Sequence, residues 1–250
     1  MDQLKTQHSA FNTSFAWAGG IEDTFIPQER PGLRALDEYE LTQHYAQWRE
    51  DLDRAASLGI GMLRWGVPWY RVEPQPGEFD WAWTDEVLPY MVRELGIQPI
   101  IDLMHYGTPS WLCGSFAGPS YAEYVATYAA AFARRYAGLV RFYTPLNEPT
   151  VNAEFCGRRG EWPPYLRGET GYVRVLLQIA RGMQLTAHAI RAADPAAVLV
   201  AVEAMRWHTP ATPAAQAAVA TRDAHDLLAW DLVRGSVGAA HPLHGYLTEH

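Results

Sequence analysis

Short apolar runs alternate with longer segments of helical periodicity along this 250-residue chain. The apolar runs are rich in aromatic and β-branched residues, and they cover residues 11–20, 60–67, 97–104, 139–143 and 197–202. The segments in which apolar residues recur every three or four positions cover residues 36–58, 84–95, 121–136, 172–193 and 224–232. Because strands that alternate with helices pair in parallel, this pattern predicts an α/β fold built from βα units.

A polar side chain lies near the end of three of the predicted strands. Arg64, His105 and Asn147 occupy equivalent positions in successive βα units. In a (β/α)8 barrel the ends of the strands face a single active-site mouth, so these residues would meet there. An open doubly wound sheet is the alternative, but the glycine-rich fingerprint expected after its first strand is missing. The sequence therefore favours a TIM-barrel type of fold.

The number of predicted strands, five, is smaller than the eight that close such a barrel. Five parallel strands leave two edges of the sheet without partners, and unpaired edges invite pairing with other chains. We therefore predict a single domain over residues 1–250 that contains strands 1–5 of a (β/α)8 barrel with their helices and lacks its C-terminal strands.

The hexapeptide Thr-Pro-Leu-Asn-Glu-Pro at residues 144–149 follows the fourth apolar run. Asn147 and Glu148 stand side by side between prolines that restrict the backbone, so both side chains are held in place. A carboxyl group fixed at the mouth of a sheet among aromatic residues is a candidate general acid. A simple strand-terminating turn is the alternative interpretation of the hexapeptide.

Four motifs resemble, in the same order, those of glycoside hydrolase family 1, the β-glucosidase-type barrels. They are Phe-Ala-Trp at 15–17, Arg-Trp-Gly-Val-Pro-Trp-Tyr-Arg-Val-Glu-Pro at 64–74, His-Tyr-Gly-Thr-Pro at 105–109 and the hexapeptide at 144–149. The similarity spans nearly the whole chain, and it implies a retaining β-glycosidase that hydrolyses O-glycosyl bonds.

The resemblance also implies a role for each candidate residue. Glu148 would be the general acid/base, and Asn147 would bind the 2-hydroxyl of the sugar. His105 would bind another hydroxyl, Arg64 would steady the nucleophilic carboxylate, and Glu22 is the nearest counterpart of a sugar-binding Gln after strand one. A retaining enzyme needs two carboxyl groups about 5–5.5 Å apart, one protonated and one ionised. No metal and no other cofactor is implied.

The chain departs from the family pattern at the second carboxylate. The family nucleophile is a Glu on strand seven in a Thr-Glu-Asn-Gly motif, which does not occur among these 250 residues. Thr248 and Glu249 lack a preceding apolar strand, so we expect Glu249 to be an exposed helix residue. Pro145 adds one residue before the Asn-Glu pair, and Tyr106 and Gly107 stand where the family has Trp and Asp.

Three alternatives stand beside a retaining β-glycosidase whose nucleophile lies outside this chain. The first is a catalytically inactive carbohydrate-binding or degenerate barrel that keeps the sugar contacts. The second is a partial barrel completed by self-association or by a complementing chain. The third is a lyase or aldolase on the same fold, although none of the predicted strands carries the lysine that such an enzyme would use.

Composition bears on the partners and the location. With 28 acidic and 20 basic residues the net charge is −8, which disfavours nucleic acid and anionic membranes as partners. The family resemblance implies a small-molecule glycoside as the substrate. Cys113 and Cys156 form neither a disulfide framework nor a metal-binding spacing. We find no secretory signal and no membrane span, and we expect a cytoplasmic protein.

Glu203 ends the fifth apolar run, and its role stays open.

Overall fold

Seven strands lie in residues 16–250, the part of the chain that the computed structural model describes. In chain order they are β1 Ala18–Gly20, β2 Phe25–Ile26, β3 Leu36–Asp37, β4 Met62–Gly66, β5 Gln98–Asp102, β6 Phe142–Thr144 and β7 Val198–Leu199. Five of them form a parallel sheet in the order β1-β4-β5-β6-β7, while β2 and β3 form a separate antiparallel pair. The predicted parallel sheet of βα units is therefore confirmed.

The register of the sheet aligns the carboxyl ends of its central strands. Gly66 of β4 pairs with Asp102 of β5, and Asp102 pairs with Thr144 of β6. Side chains that follow these residues consequently emerge close together at one edge of the sheet. This alignment is what brings residues from distant parts of the sequence into one site.

Helices connect the strands of the sheet. In the described residues they are α1 Glu38–Leu41, α2 His44–Ser57, α3 Trp69–Val72, α4 Ala82–Pro89, α5 Tyr121–Arg135, α6 Pro149–Ala153, α7 Gly168–Ala193, α8 Gln216–Val233 and α9 His244–Glu249. Single π-helical turns extend α4 over Tyr90–Glu94 and α6 over Glu154–Arg158. None of the described helices is both long enough and apolar enough to cross a membrane.

The helices α5 and α7 pack against each other along one side of the sheet. Tyr121, Val125, Tyr128 and Phe132 are buried on α5, at the spacing that lines up one face of a helix. On α7 the partner position is Gly182, where a Cβ atom would lie 2.6 Å from the Tyr121 ring. Glycine at this position therefore allows the two helices to approach closely.

The sequence-based boundaries hold for most elements, with four differences. The last predicted helix, 224–232, begins earlier in the structure, at Gln216 of α8. The predicted helix 36–58 is wrong at its start, because residues 36–37 form β3 and the helix divides into α1 and α2 at Gln43, whose φ is 62°. The fifth predicted strand, 197–202, shortens to β7. Of the first predicted strand, 11–20, residues 11–15 lie outside the described residues, and β1 covers 18–20.

Both edges of the sheet are open within the described residues. Strand β1 pairs only with β4, and strand β7 pairs only with β6. The sheet thus corresponds to five neighbouring strands of a barrel, as predicted. Glu249 lies exposed in α9, which agrees with its interpretation as a solvated helix residue.

Candidate active site

The segment between β6 and α6 crosses the carboxyl edge of the sheet. The Asn147 N–H donates to the Met104 carbonyl over 2.9 Å, and the Glu148 N–H donates to the Val202 carbonyl over 3.2 Å. These bonds tie the segment to the chain that follows β5 on one side and β7 on the other. Asn147 and Glu148 are therefore held at the mouth of the sheet.

The backbone of Glu148 adopts a conformation that residues other than glycine seldom take. Its φ of 44° and ψ of 70° lie in the left-handed region. Pro149 follows as the first residue of α6, a position that suits the fixed φ of proline. Such a backbone costs about 1–3 kcal/mol and persists only where the surrounding structure imposes it, often at functional sites.

The amide of Asn147 joins three of the predicted site residues. Its Oδ1 accepts a hydrogen bond from Nη2 of Arg64, and its Nδ2 lies 2.9 Å from Nε2 of His105. The same Nδ2 donates to Oε2 of Glu148 over 3.3 Å. The structure thus places Arg64, His105, Asn147 and Glu148 in one cluster, although they come from three different βα units.

Glu22, the fifth predicted site residue, lies at the rim of this cluster. Its side chain is 65% exposed, and its Oε1 is 3.5 Å from Nε2 of His105. The Thr24 hydroxyl donates to the same carboxylate oxygen over 3.2 Å. Glu22 is therefore close enough to reach a ligand bound at His105, and it remains open to solvent.

A buried carboxylate that the sequence reasoning missed neutralises Arg64. Oδ2 of Asp102, at the end of β5, lies 2.5 Å from Nη2 of Arg64, and the Asp102 side chain is fully buried. Arg64 thus forms an ion pair with a buried acid in addition to its contact with Asn147. The signal was present in the sequence, since Asp102 is a charge inside an apolar run, as Arg64 is.

A second buried carboxylate, Asp23 in the loop between β1 and β2, contacts His105. Oδ1 of Asp23 meets Nδ1 of His105, and Oδ2 of Asp102 lies 3.5 Å from the same nitrogen. Burial raises the pKa of Asp23 to about 7, although the contact with His105 opposes part of this rise. Burial alone would lower the pKa of His105, but Asp102 and Asp23 outweigh it and raise that pKa to about 10.

Two glycines make room for this arrangement. A Cβ atom at Gly66 would lie 1.7 Å from Oδ2 of Asp23, so only glycine lets this carboxylate rest against the end of β4. At Gly107 a Cβ atom would lie 1.6 Å from the Phe25 carbonyl oxygen. Gly107 therefore allows the β2–β3 pair to close over the chain that follows β5, where the Phe25 N–H also bonds the His105 carbonyl at 3.1 Å.

Tyr106 holds the carboxyl group of Glu148. Its hydroxyl donates to Oε2 of Glu148, and its backbone has a φ of 71°. The Tyr106 ring packs edge-on against His105 and lies 4.9 Å from the Trp162 ring. Burial, and then the neighbouring Glu148 carboxylate, raise the pKa of Tyr106, which keeps the phenol protonated as a donor. Sequence reasoning noted this residue only as a departure from the family motif.

Glu203 lies beside this cluster, on the side of α6. Its carboxylate accepts hydrogen bonds from the N–H groups of Thr150 and Ala204, each over 3.0 Å. Burial raises the pKa of Glu203, and the nearby charge of Glu148 adds to the rise. Glu203 also lines a cavity of about 960 Å³ between α6, α7 and α8. The structure thus gives Glu203 a role in joining the chain after β7 to the start of α6.

The side chains of Glu22, Asp23 and His105 place potential metal ligands within 4.8 Å of one another. However, Asp23 contacts Nδ1 of the imidazole, whereas Glu22 lies next to Nε2 on the opposite side of the ring. Both carboxylates thus contact the imidazole directly, one at each of its nitrogens.

Comparison with known proteins identifies the family. The family model for glycosyl hydrolase family 1 matches residues 19–233. Beta-glucosidase 42 of Arabidopsis thaliana is 29% identical over 181 residues, which cover 63% of this chain and 37% of the relative.

Solved structures agree on the fold. The AHE enzyme from Alicyclobacillus herbarius superposes with a TM-score of 0.68 at 27% identity, covering 73% of this chain and 43% of that one. A beta-glucosidase from Thermotoga maritima in complex with deoxynojirimycin superposes with a TM-score of 0.74 at 19% identity, covering 86% and 55%. The chain thus spans about a third to a half of the length of these proteins. It belongs to glycosyl hydrolase family 1, and its sheet corresponds to part of the TIM barrel of that family.

Proposed function

We propose that this protein hydrolyses O-glycosyl bonds of β-glycosides as a retaining glycosidase, with Glu148 as the general acid/base. The observation that carries the proposal is the carboxyl group of Glu148 at the mouth of the sheet, oriented by Tyr106 and adjacent to the Asn147 amide. Membership of glycosyl hydrolase family 1 supports the same class of reaction.

The two oxygens of Glu148 have different surroundings in the described residues. The Tyr106 hydroxyl and the Asn147 amide both donate to Oε2, so we assign the catalytic proton to Oε1. In the first step Oε1–H would protonate the departing glycosidic oxygen, and in the second step the carboxylate would take a proton from the attacking water. The two donors to Oε2 would keep the carboxyl group in one orientation for both steps.

Asn147 is suited to bind a sugar hydroxyl. Its N–H groups face His105 and Glu148, and its Oδ1 accepts from Arg64, which leaves that oxygen a second lone pair. A bond from the sugar 2-hydroxyl to this lone pair would strengthen as the oxocarbenium-like transition state forms. His105 and Glu22 would bind further hydroxyls of the same sugar.

The nucleophilic carboxylate would come from outside residues 1–250. Arg64 is suited to receive it, because its Nε–H has no hydrogen-bond partner in the described part of the chain.

A second candidate function, carbohydrate binding without turnover, is favoured by one observation. Asp102 already neutralises Arg64 at 2.5 Å, so the cluster needs no further carboxylate to balance its charge.

The test compares native protein, expressed from its complete reading frame, with Glu148→Gln on aryl β-glucosides. The variant should lose about 10²–10⁴-fold in kcat/KM on substrates with poor leaving groups and less on those with good ones. Glu249→Gln, exposed in α9, is the matched control and should react as the native protein does. Equal rates for native protein and Glu148→Gln would remove Glu148 from the mechanism. Glucoside binding without turnover by the native protein would establish the second candidate.

A further inference from the structure

The helix α6 starts directly after Glu148, and that residue does not cap it. The residue before a helix commonly accepts a hydrogen bond from the first free N–H groups through its side chain. Pro149 has no N–H, so the first donor of α6 is the N–H of Thr150. The Glu148 side chain makes no bond to the helix, and its Oε2 instead accepts from the Tyr106 hydroxyl and the Asn147 amide. The start of α6 therefore needs an acceptor from elsewhere in the chain.

Glu203, which follows β7, supplies this acceptor. Its Oε2 accepts from the Thr150 N–H over 3.0 Å, and its Oε1 accepts from the N–H of Ala204 over 3.0 Å. Hydrogen bonds from N–H groups to an ionised carboxylate are stronger than those to a neutral oxygen. Both oxygens of this half-buried carboxylate are thus engaged, and together they fix its orientation.

A second hydrogen bond joins the same two segments. The Glu148 N–H donates to the Val202 carbonyl over 3.2 Å. Residues 202 and 203 therefore hold the chain on both sides of the Glu148 backbone, whose φ is 44°. A backbone in this region persists only where the surrounding structure imposes it. The chain after β7 contributes to that constraint, and the Glu203 carboxylate is the part of it that a substitution can remove.

We propose that Glu203 is a positioning residue for the glycosidase site: it caps α6 in place of Glu148, which leaves the Glu148 carboxyl group free to face the sugar. Without the Glu203 carboxylate, the Thr150 N–H needs another acceptor. The side chain of Glu148 stands at the usual capping position, so Thr150 would then compete for it with Tyr106. The catalytic consequence rests on the proposed function, whereas the cap itself does not.

The alternative is a purely structural connection between β7 and α6 that has no effect on the orientation of Glu148. The two interpretations predict different kinetics. A displaced general acid slows the reaction of substrates with poor leaving groups, which need protonation most. A loss of folded protein, in contrast, lowers the rate on every substrate by the same factor. The dependence on the leaving group therefore separates a positioning role from a structural one.

The first measurement is amide hydrogen exchange in the free protein at neutral pH. The Val67 N–H, which bonds the Asp102 carbonyl over 2.9 Å at the end of β4, is the reference for the stability of the sheet. Relative to it, exchange of the Thr150 N–H should accelerate about tenfold or more in Glu203→Ala. In Glu203→Gln, whose amide oxygen can still accept this bond, the relative rate should change by less than about threefold.

The second measurement is the hydrolysis of aryl β-glucosides by protein expressed from the complete reading frame. In Glu203→Ala, kcat should fall about tenfold on substrates with poor leaving groups and less than about threefold on those with good ones. Glu203→Gln should restore most of this loss. Glu169→Ala is the matched control, because Glu169 lines the same cavity but bonds Arg158 and not the backbone of α6. It should leave both the Thr150 exchange and the leaving-group dependence unchanged.

Two results would overturn the inference. One is a native relative exchange rate of the Thr150 N–H in Glu203→Ala, which would show that Glu203 does not cap α6. The other is an equal fall in kcat on good and poor leaving groups, which would leave Glu203 a structural role only. A native protein that hydrolyses no glycoside would contradict the proposed function, whereas the exchange of Thr150 still decides whether Glu203 caps the helix.

Discussion

Replacing Gly66 by alanine tests how Asp23 is held in the site. The new Cβ atom would lie 1.7 Å from Oδ2 and 2.6 Å from Cβ of Asp23, whereas real Cβ atoms essentially never come within 3.0 Å of a neighbour. The carboxylate would have to retreat by about 1.3 Å, the difference between these two distances. A shift of this size separates Asp23 from His105.

The expected cost follows from the burial of both partners. Breaking a buried charge pair by displacing one member costs about 3–5 kcal/mol, so we expect Gly66→Ala to lower the free energy of unfolding by that amount. In an Asp23→Gly background the clashing atoms are absent, and Gly66→Ala should cost less than about 1 kcal/mol. The two substitutions should therefore be non-additive by about 3 kcal/mol.

Urea denaturation of the four proteins of this cycle, at neutral pH, measures the coupling. Gly20→Ala in the neighbouring strand β1 is the control, because a Cβ atom there would lie 3.6 Å from Cβ of Arg64, an ordinary contact. It should change stability by less than about 1 kcal/mol. If Gly66→Ala costs the same with and without the Asp23 side chain, Asp23 is not packed against β4 and the account of this site is wrong.

Two further variants address the residues around Glu148. Tyr106→Phe removes the hydroxyl that orients the Glu148 carboxyl group. Its kcat/KM on a substrate with a poor leaving group should be about tenfold lower than that of native protein at the same substrate concentrations. A rate equal to that of native protein would exclude this role. Burial raises the pKa of Glu203 from its ordinary 4.5, so its stabilising contribution is fully present below pH 4.5 and is lost as pH rises through the folded value. Glutamine at position 203 does not titrate, so Glu203→Gln should not lose stability in this pH range. Urea denaturation should therefore show the free energy of unfolding of the variant rising relative to that of native protein as pH rises above 4.5. A difference that does not change with pH would contradict the burial of this charge.

The sheet and the central cluster could be predicted because both follow from local patterns. Apolar runs marked the strands, and a polar residue at the end of a run marked a position at the mouth, as with His105 and Asn147. Asp102 obeys the same rule and was overlooked. Asp23 could not be found in this way, since it lies in a loop and its partner His105 is far along the chain.

The misassigned helix 36–58 shows where periodicity fails. Apolar residues keep their three-and-four spacing across Gln43, yet the left-handed backbone of that residue ends one helix and begins the next. The two-residue strands β2 and β3 are too short to leave an alternating pattern. Their position depends on the tertiary contact between Phe25 and Gly107, which no local window contains.

The backbone conformation of Glu148 sets folding stability against function, two properties that a substitution usually lowers together. Glycine adopts a φ of 44° without steric strain, so replacing Glu148 by glycine would relieve the backbone strain at this position. Glutamate is therefore less favourable than glycine for folding at this position. With Glu148 at this bend, the chain has a carboxyl group at the rim of the site and a less stable backbone than glycine would give.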